Sequence, residues 1–258
     1  MSLTGGAVGV FAAHTGLAGS VVALPLLYSA RSGMAARMVT GTVLAATTFS
    51  AAGGAAAFAL AGKTDPFAVA SLGGIGMLTA GLGSMLSAKA PPSLVKRCVA
   101  VALLVIAPLI AFSEREPENE SDGQTSPLSG EVASNSIAEQ LMSVPTSFWI
   151  TGAVAGFSQG FLAIGGGIVM TSLMTLTTSM TQHEIIASAL ASSALINTSA
   201  TIVHFRMGTV NVPAALCIAV SASIAAAIAS KLALQLDESV LRKCLGGALV
   251  VSSISMLR

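Results

Sequence analysis

Long apolar runs constrain the fold of this chain more than any other feature of its sequence. A helix needs about 20 apolar residues to cross roughly 30 Å of hydrocarbon, and charges and prolines divide the sequence into segments near that length. Eight such segments follow one another, namely Thr4–Ser29, Ala36–Ala61, Phe67–Ala88, Leu94–Phe112, Val144–Leu176, Ile185–Phe205, Val212–Leu234 and Val240–Leu257. They predict an all-α polytopic membrane protein.

The charge content supports this prediction. Asp, Glu, Lys and Arg make up 9% of the chain, against about 25% in a soluble domain. So few charges cannot cover a soluble fold of this size, so lipid must meet much of the surface. The 26 glycines favour close helix packing in a bilayer, and the alternating strands of a β-barrel are not found. A net charge of +1 gives no indication of a nucleic-acid partner.

A stretch of different composition divides the eight segments into two sets of four. Residues 113–143 hold seven acidic residues and one basic residue among Ser, Gly, Pro and Asn, which predicts a solvated, mobile loop. We therefore predict a first repeat at residues 1–112, an acidic loop at 113–143 and a second repeat at 144–258.

The two sets resemble each other without a gap. A shift of 146 residues places Gly19 on Gly165, Leu44 on Leu190 and Gly62 on Gly208. The same shift superimposes two stretches that each carry a basic pair followed by a cysteine, residues 93–98 and 239–244. Two homologous halves are a common build for secondary transporters.

Loop charges predict the orientation. If every segment crosses, eight basic residues face one side against four on the other, which places both termini and the acidic loop outside, on the side of Lys63 and Arg206. Equivalent segments would then run in the same direction. An alternative stays open, because glycines interrupt the first segment of each half. That segment could be a re-entrant hairpin, which leaves three crossings per half and inverts the repeats.

The sharpest local feature is the triplet Gly165-Gly166-Gly167. Each glycine costs a helix about 1 kcal/mol relative to alanine, and a break here would free backbone N–H groups at the start of a half-helix, where an anion is favoured. Gly19 lies at the equivalent point of the first half. The alternative interpretation is close helix packing through small residues.

Polar side chains within the segments are the second candidate feature. Ser188 and Ser192 fall on one helical stripe, Asn197 follows them, and Thr42 belongs to the equivalent segment of the first half. Such side chains either line a polar path or bond neighbouring helices and their own backbone. His14 is a candidate proton or substrate contact inside the first segment, and a structural histidine is the alternative.

The chain lacks the residue patterns of an enzyme or a metalloprotein. Its three histidines, His14, His183 and His204, lie in separate segments, which gives no metal-ligand cluster. No Ser-His-Asp arrangement and no phosphate-binding glycine loop is found. We therefore predict a protein that is not an enzyme and has no metal and no cofactor.

Several stretches, taken in order, resemble a known family. They are the glycine triplet with its apolar run, then Ala187-Ser188-Ala189-Leu190, then Arg206-Met207-Gly208-Thr209-Val210-Asn211. Their counterparts are Gly19 to Pro25-Leu26-Leu27, Gly41-Thr42-Val43-Leu44 and Gly62-Lys63-Thr64-Asp65. The pattern is similar to that of the TauE/SafE sulfite exporters over nearly the whole chain outside the acidic loop. Thr171 stands where that family usually has proline, and Ala187-Ser188 replaces Gly-Thr.

The resemblance implies secondary export of sulfite or a small organosulfonate across a bacterial-type inner membrane. We expect the substrate site between the halves, formed by Gly19, Thr42, Gln159, Gly165, Gly166, Gly167, Ser188, Ser192 and Asn197. The expected partners are the anion, the lipid bilayer, a proton as candidate coupling ion and a second copy in a candidate homo-oligomer. An anion channel and a non-transporting assembly partner are the alternative functions.

Overall fold

The structure, a computed structural model, describes residues 2–16, 19–29, 36–89, 91, 145–163, 166–178, 180–237 and 240. Every regular element in these ranges is a helix. In chain order they are α1 (Ser2–Thr15), α2 (Ser20–Ser29), α3 (Ala36–Leu60), α4 (Pro66–Lys89), α5 (Thr146–Leu162), α6 (Gly166–Thr177), α7 (Gln182–Arg206) and α8 (Val212–Ala233). The predicted segments at 94–112 and 241–257, and the acidic loop at 113–143, lie outside the described residues.

Four of the described helices are long and apolar enough to cross a membrane. They match α3, α4, α7 and α8 closely, at Arg37–Leu60, Pro66–Ser87, Gln182–Arg206 and Val212–Ala233. The outer face of α8 shows what surrounds them. It exposes an apolar residue at every fourth position, Leu216, Val220, Ile224, Ile228 and Leu232, a stripe suited to lipid. The described part of the chain is therefore all-helical and has four helices suited to a bilayer, as its sequence predicts.

Local signals in the sequence set where these helices begin and end. Asp65 accepts a hydrogen bond from the backbone N–H of Phe67 (2.9 Å) at the start of α4, and Asn211 caps α8 in the same way. Thr181 opens α7 with a capping box. Gly62 and Gly208 follow α3 and α7 with φ angles of 69° and 66°, a left-handed conformation that glycine adopts without strain.

The first segment of each half doubles back instead of forming one straight helix. Gly19 follows α1, yet a Cβ atom on it would lie 2.5 Å from the carbonyl oxygen of Val8, about two turns inside that helix. In the second half, a Cβ atom on Gly166 would lie 2.2 Å from the carbonyl oxygen of Ala155 in α5. This geometry corresponds to the re-entrant alternative, since neither α2 nor α6 is long enough to cross alone.

The long helices α3 and α7 run in opposite directions. Thr47 contacts Asn197 near their crossing point. Towards the start of α3, Gly41 packs against His204 near the end of α7, whereas Gly54, later in α3, packs against Leu190. The prediction that equivalent segments run in the same direction is therefore wrong. The alternative with three crossings per half predicts this reversal.

The reversal also changes which loops share a side. Lys63 follows the end of α3 and Arg206 closes α7, so the antiparallel crossing places them at opposite ends of the bundle. The prediction that Lys63 and Arg206 face the same side is wrong as well, because it assumed that the first segment of each half crosses once.

The first residues of α1 and α5 are separated for the same reason. Cβ atoms on Gly5 and Gly9 would meet the carbonyl oxygens of Ile218 and Ala222, so α1 runs parallel to α8. Helix α5 runs parallel to α4, because successive glycines of α5 meet successive turns of α4 in the same order. Helix α4 in turn is antiparallel to α8. Ser2 and Thr146 therefore begin their helices at opposite ends of the bundle.

Helices of each half pack against helices of the other half. The N-terminal helix α1 packs against α8, and α4 packs against α5. Glycines carry the second contact: Cβ atoms on Gly152, Gly156 and Gly160 would lie 2.6, 2.3 and 2.1 Å from carbonyl oxygens of α4. Side chains are absent where the two backbones approach most closely, which is how small residues stabilise helix pairs in lipid.

Labelling with a membrane-impermeant thiol reagent tests this topology. In a background with the three native cysteines replaced by alanine, Lys63→Cys and Met207→Cys should react from opposite sides of the membrane. Both native side chains are exposed at helix ends, so access does not limit either reaction. Labelling of both variants from the same side of intact cells would contradict the antiparallel arrangement.

Candidate functional site

The break between α5 and α6 brings a helix N-terminus into the protein interior. Helix α5 ends at Ala163, which has a left-handed φ of 53°, and α6 begins at Gly166 beside α5. A Cβ atom on Gly166 would lie 2.6 Å from Oε1 of Gln159. The first N–H groups of a helix have no partner within that helix, so α6 directs orphan donors and the positive end of its dipole into this interior.

A chain of three buried polar side chains, here named the polar bridge, lies beside this terminus. Gln159 Nε2 donates to Asn197 Oδ1 in a close contact. Asn197 Nδ2 donates to Thr47 Oγ1 at 3.4 Å, and the Thr47 hydroxyl donates to the carbonyl oxygen of Val43 at 2.8 Å. The polar bridge therefore connects α5, α7 and α3 in the centre of the described bundle.

One acceptor in the polar bridge has no partner. Gln159 is 1% exposed, and its Oε1 atom accepts no hydrogen bond although it faces Gly166. Burying an amide oxygen without a partner costs roughly 1–3 kcal/mol. Native interiors rarely retain such a group without a reason. The arrangement suits a ligand that engages the start of α6 and the Gln159 amide together.

Buried serine hydroxyls enlarge the polar interior. Within the described ranges, the Oγ atoms of Ser20, Ser50, Ser188, Ser192 and Ser193 are buried and have no hydrogen-bond partner. Ser20 is the first residue of α2, so it occupies in the first half the place that Gly166 occupies in the second. Each hydroxyl can rotate to donate or accept, which gives a passing solute alternative contacts.

The serine stripe of α7 is directed toward α4. Ser199 donates to the carbonyl oxygen of Met77 at 2.7 Å, and Gly73 packs against the backbone of Ser192. Ser188 and Ser192 therefore lie on the α4 side of α7, whereas Asn197 contacts α3 and α5. The predicted stripe exists, but its serines and Asn197 lie on different faces of the helix.

Thr42 lies away from the polar bridge. Its hydroxyl donates to the carbonyl oxygen of Met38 at 2.6 Å and accepts from the backbone N–H of Asn211 at 3.0 Å. It thereby connects α3 to the residue that caps α8. Thr42 was predicted to contact substrate, but its hydrogen bond to Asn211 gives it a structural role as the alternative. Thr47, five residues further along α3, lies beside Asn197.

The remaining candidates are distributed around the two breaks. His14 Nδ1 pairs with the carbonyl oxygen of Val10 in its own helix at 2.8 Å. Gly19 is a left-handed turn residue packed against Val8. Gly167 is buried in the first turn of α6, and its carbonyl oxygen accepts from Thr171 at 2.7 Å. Gly165 lies outside the described residues.

The described residues contain no group of three or more His, Cys, Asp or Glu side chains that could hold a metal ion. Thr47 belongs to the polar bridge but not to the predicted substrate site. It is one of several threonines in α3, and its partner Asn197 lies 150 residues further along the chain.

Comparison with known proteins gives one match. A family model described as "Sulfite exporter TauE/SafE" matches residues 1–256, essentially the whole chain. No curated protein and no solved structure gives a significant match. The match extends across both breaks, the polar bridge and the acidic loop.

Proposed function

Because the chain belongs to the TauE/SafE sulfite exporter family, we propose that it is a secondary transporter that exports a small sulfur-containing anion, sulfite or an organosulfonate. The proposed substrate site is based on one observation: the unpartnered Oε1 atom of Gln159 in α5 lies beside Gly166, the first residue of α6. An oxygen of a sulfur oxyanion there accepts from the first N–H groups of α6. Rotation of the Gln159 amide then presents Nε2 to the same anion.

The proposed mechanism is alternating access between two inverted halves. Both ends of α3 lie 146 positions before the ends of α7, and α4 begins 146 positions before α8, which supports the repeat. The antiparallel crossing of α3 and α7 supports a pseudo-twofold axis in the membrane plane. Broken helices that meet near the membrane centre are typical substrate sites in transporters of this build.

The two halves are chemically unequal at this centre. The same shift places Ala13 on Gln159 and Ala51 on Asn197, and both alanines are buried. The first half therefore repeats the geometry of the second without its amide side chains. We propose a single substrate site, formed by Gln159, Asn197, Thr47 and the start of α6, with Gly19 and Ser20 completing the opposite wall.

The proposal places the protein in a bacterial-type inner membrane, with export directed out of the cytoplasm. A proton as the coupling ion and a homo-oligomeric assembly stay predictions. Ser188 and Ser192 are proposed to contact the anion along its route between α7 and α4 rather than at the site itself. His14 is a candidate proton relay at the α1–α2 break.

Counterflow in proteoliposomes tests the proposed function. Unlabelled sulfite trapped inside should accelerate uptake of labelled sulfite from outside, because a carrier returns faster when loaded. A channel would show flux without this acceleration, and an assembly partner would show none. Loss of the acceleration in a Gln159→Ala variant of normal yield, with a normal response in Thr42→Val, would place the substrate at the polar bridge.

A further inference from the structure

We infer that the site at the polar bridge takes monovalent oxyanions, hydrogensulfite or an organosulfonate, in preference to the divalent sulfite and sulfate ions. This inference rests on the proposed function and adds the charge of the transported species. It follows from the charges and donors that the described residues place around the site.

The groups at the site are neutral. Gln159, Asn197 and Thr47 contribute amide and hydroxyl groups, and α6 contributes backbone N–H groups. The described basic residues lie elsewhere, because every one of their side chains is exposed: Arg37, Lys63, Lys89, Arg206 and Lys231. Among the described residues, an anion at the polar bridge would therefore meet dipoles and no basic side chain.

The magnitude of the stabilisation by these dipoles matches one negative charge better than two. A helix N-terminus acts as roughly half an elementary positive charge. The α6 terminus offsets much of the charge of a monoanion and a small share of that of a dianion. The desolvation cost of an ion grows with the square of its charge, so a dianion of equal size loses about four times as much hydration free energy on entry.

The number of donors points the same way. Asn197 commits one amide hydrogen to Thr47, which leaves one for a ligand, and the rotated Gln159 amide offers Nε2 instead of the Oε1 atom that now faces the start of α6. Together with the first N–H groups of α6, the site would supply a few neutral donors, a set suited to one sulfonate group. The three oxygens of a sulfonate share a single charge, and its fourth substituent can be apolar, which suits a site whose counterparts in the first half are the buried alanines Ala13 and Ala51.

Initial flux at several pH values, measured on the whole protein in proteoliposomes, tests the inference. The probes are sulfite, methanesulfonate and sulfate at equal total concentration, with the leak of protein-free vesicles subtracted. Above neutral pH, each unit rise lowers the hydrogensulfite fraction roughly tenfold, so sulfite flux should fall in proportion. Methanesulfonate keeps one charge throughout, so its flux should stay level, and sulfate should neither move nor compete.

Four other outcomes would overturn the inference. Sulfite flux that rises with pH, or sulfate that moves as fast as methanesulfonate, would leave export in place and remove only the monoanion preference. A parallel fall for sulfite and methanesulfonate would assign the pH dependence to a coupled proton instead of substrate charge. Absence of flux for all three anions would remove the proposed function and this inference with it.

Discussion

Gly166→Ala should reduce export at least about tenfold, the largest effect that we expect from adding one methyl group. Its Cβ atom would lie 2.2 Å from the carbonyl oxygen of Ala155 and 2.6 Å from Gln159 Oε1, so α6 must move away from α5. That movement shifts the helix N-terminus relative to the polar bridge, and a loss of 1.4 kcal/mol in binding is already about tenfold. Overpacking should also lower the free energy of unfolding by roughly 1–3 kcal/mol.

Two matched glycines separate binding from packing. Gly156→Ala creates a similar clash, 2.3 Å from the carbonyl oxygen of Gly76, on the face of α5 that packs against α4. It should lose stability but keep its export rate per folded molecule. Gly74 has no atom within 4 Å of its added Cβ, so Gly74→Ala should change neither property unfavourably. Equal export by folded Gly166→Ala and Gly156→Ala proteins would contradict a substrate site at the start of α6.

Asn197→Leu should weaken the apparent affinity for the exported anion roughly 5- to 30-fold, through the loss of a donor worth about 1–2 kcal/mol. It should also lower the midpoint of thermal unfolding, because Gln159 Nε2 loses its acceptor and Thr47 its donor. A buried group left unpaired costs roughly 1–3 kcal/mol. Affinity comes from the concentration dependence of proteoliposome flux, and stability from melting in detergent.

The double variant Gln159→Met/Asn197→Leu distinguishes a binding role from a structural one. Replacing both amides by apolar groups of similar shape removes the unpaired Gln159 amide and leaves only Thr47 Oγ1 without its donor, so the melting temperature should recover most of the loss. Export should stay lost. Thr42→Val is the control, because it removes a hydrogen bond between helices outside the site; it should cost stability at unchanged affinity. Recovery of export together with stability in the double variant would show that the polar bridge is only structural.

Hydropathy and turn signals predicted the long helices well. The predicted segments Ala36–Ala61 and Val212–Leu234 each end within one residue of α3 and α8. These limits could be found because the signals are local: Gly62 stops α3 by its left-handed conformation, and Asn211 with Pro213 starts α8. The resemblance to the sulfite exporters is likewise confirmed over residues 1–256.

The directions of the helices and the side-chain contacts between them were harder to predict. Hydropathy reports how much apolar chain is present and not whether it turns at a glycine, so the fold-backs at Gly19 and Gly166 stood only as an alternative. The direction predicted for α3 relative to α7 was therefore wrong. Thr42 and Thr47 are indistinguishable by residue type and spacing. Only the angle at which α3 crosses α7 decides that Thr47 meets Asn197 and that Thr42 meets the backbone of Asn211.

The exchanged packing of α1 with α8 and of α4 with α5 also bears on how the chain is made. Synthesis proceeds from the N-terminus at about 5–20 residues per second, so α8 is translated roughly 10–40 s after α1. During that interval the small-residue faces of α1 and α4 have only lipid beside them, since their partners belong to a half that is still on the ribosome. Neither half is therefore a folding unit of its own. The native packing can form only after the last described helix is inserted. Until then the incomplete protein is exposed to membrane quality-control proteases, for a time that depends on the rate of translation.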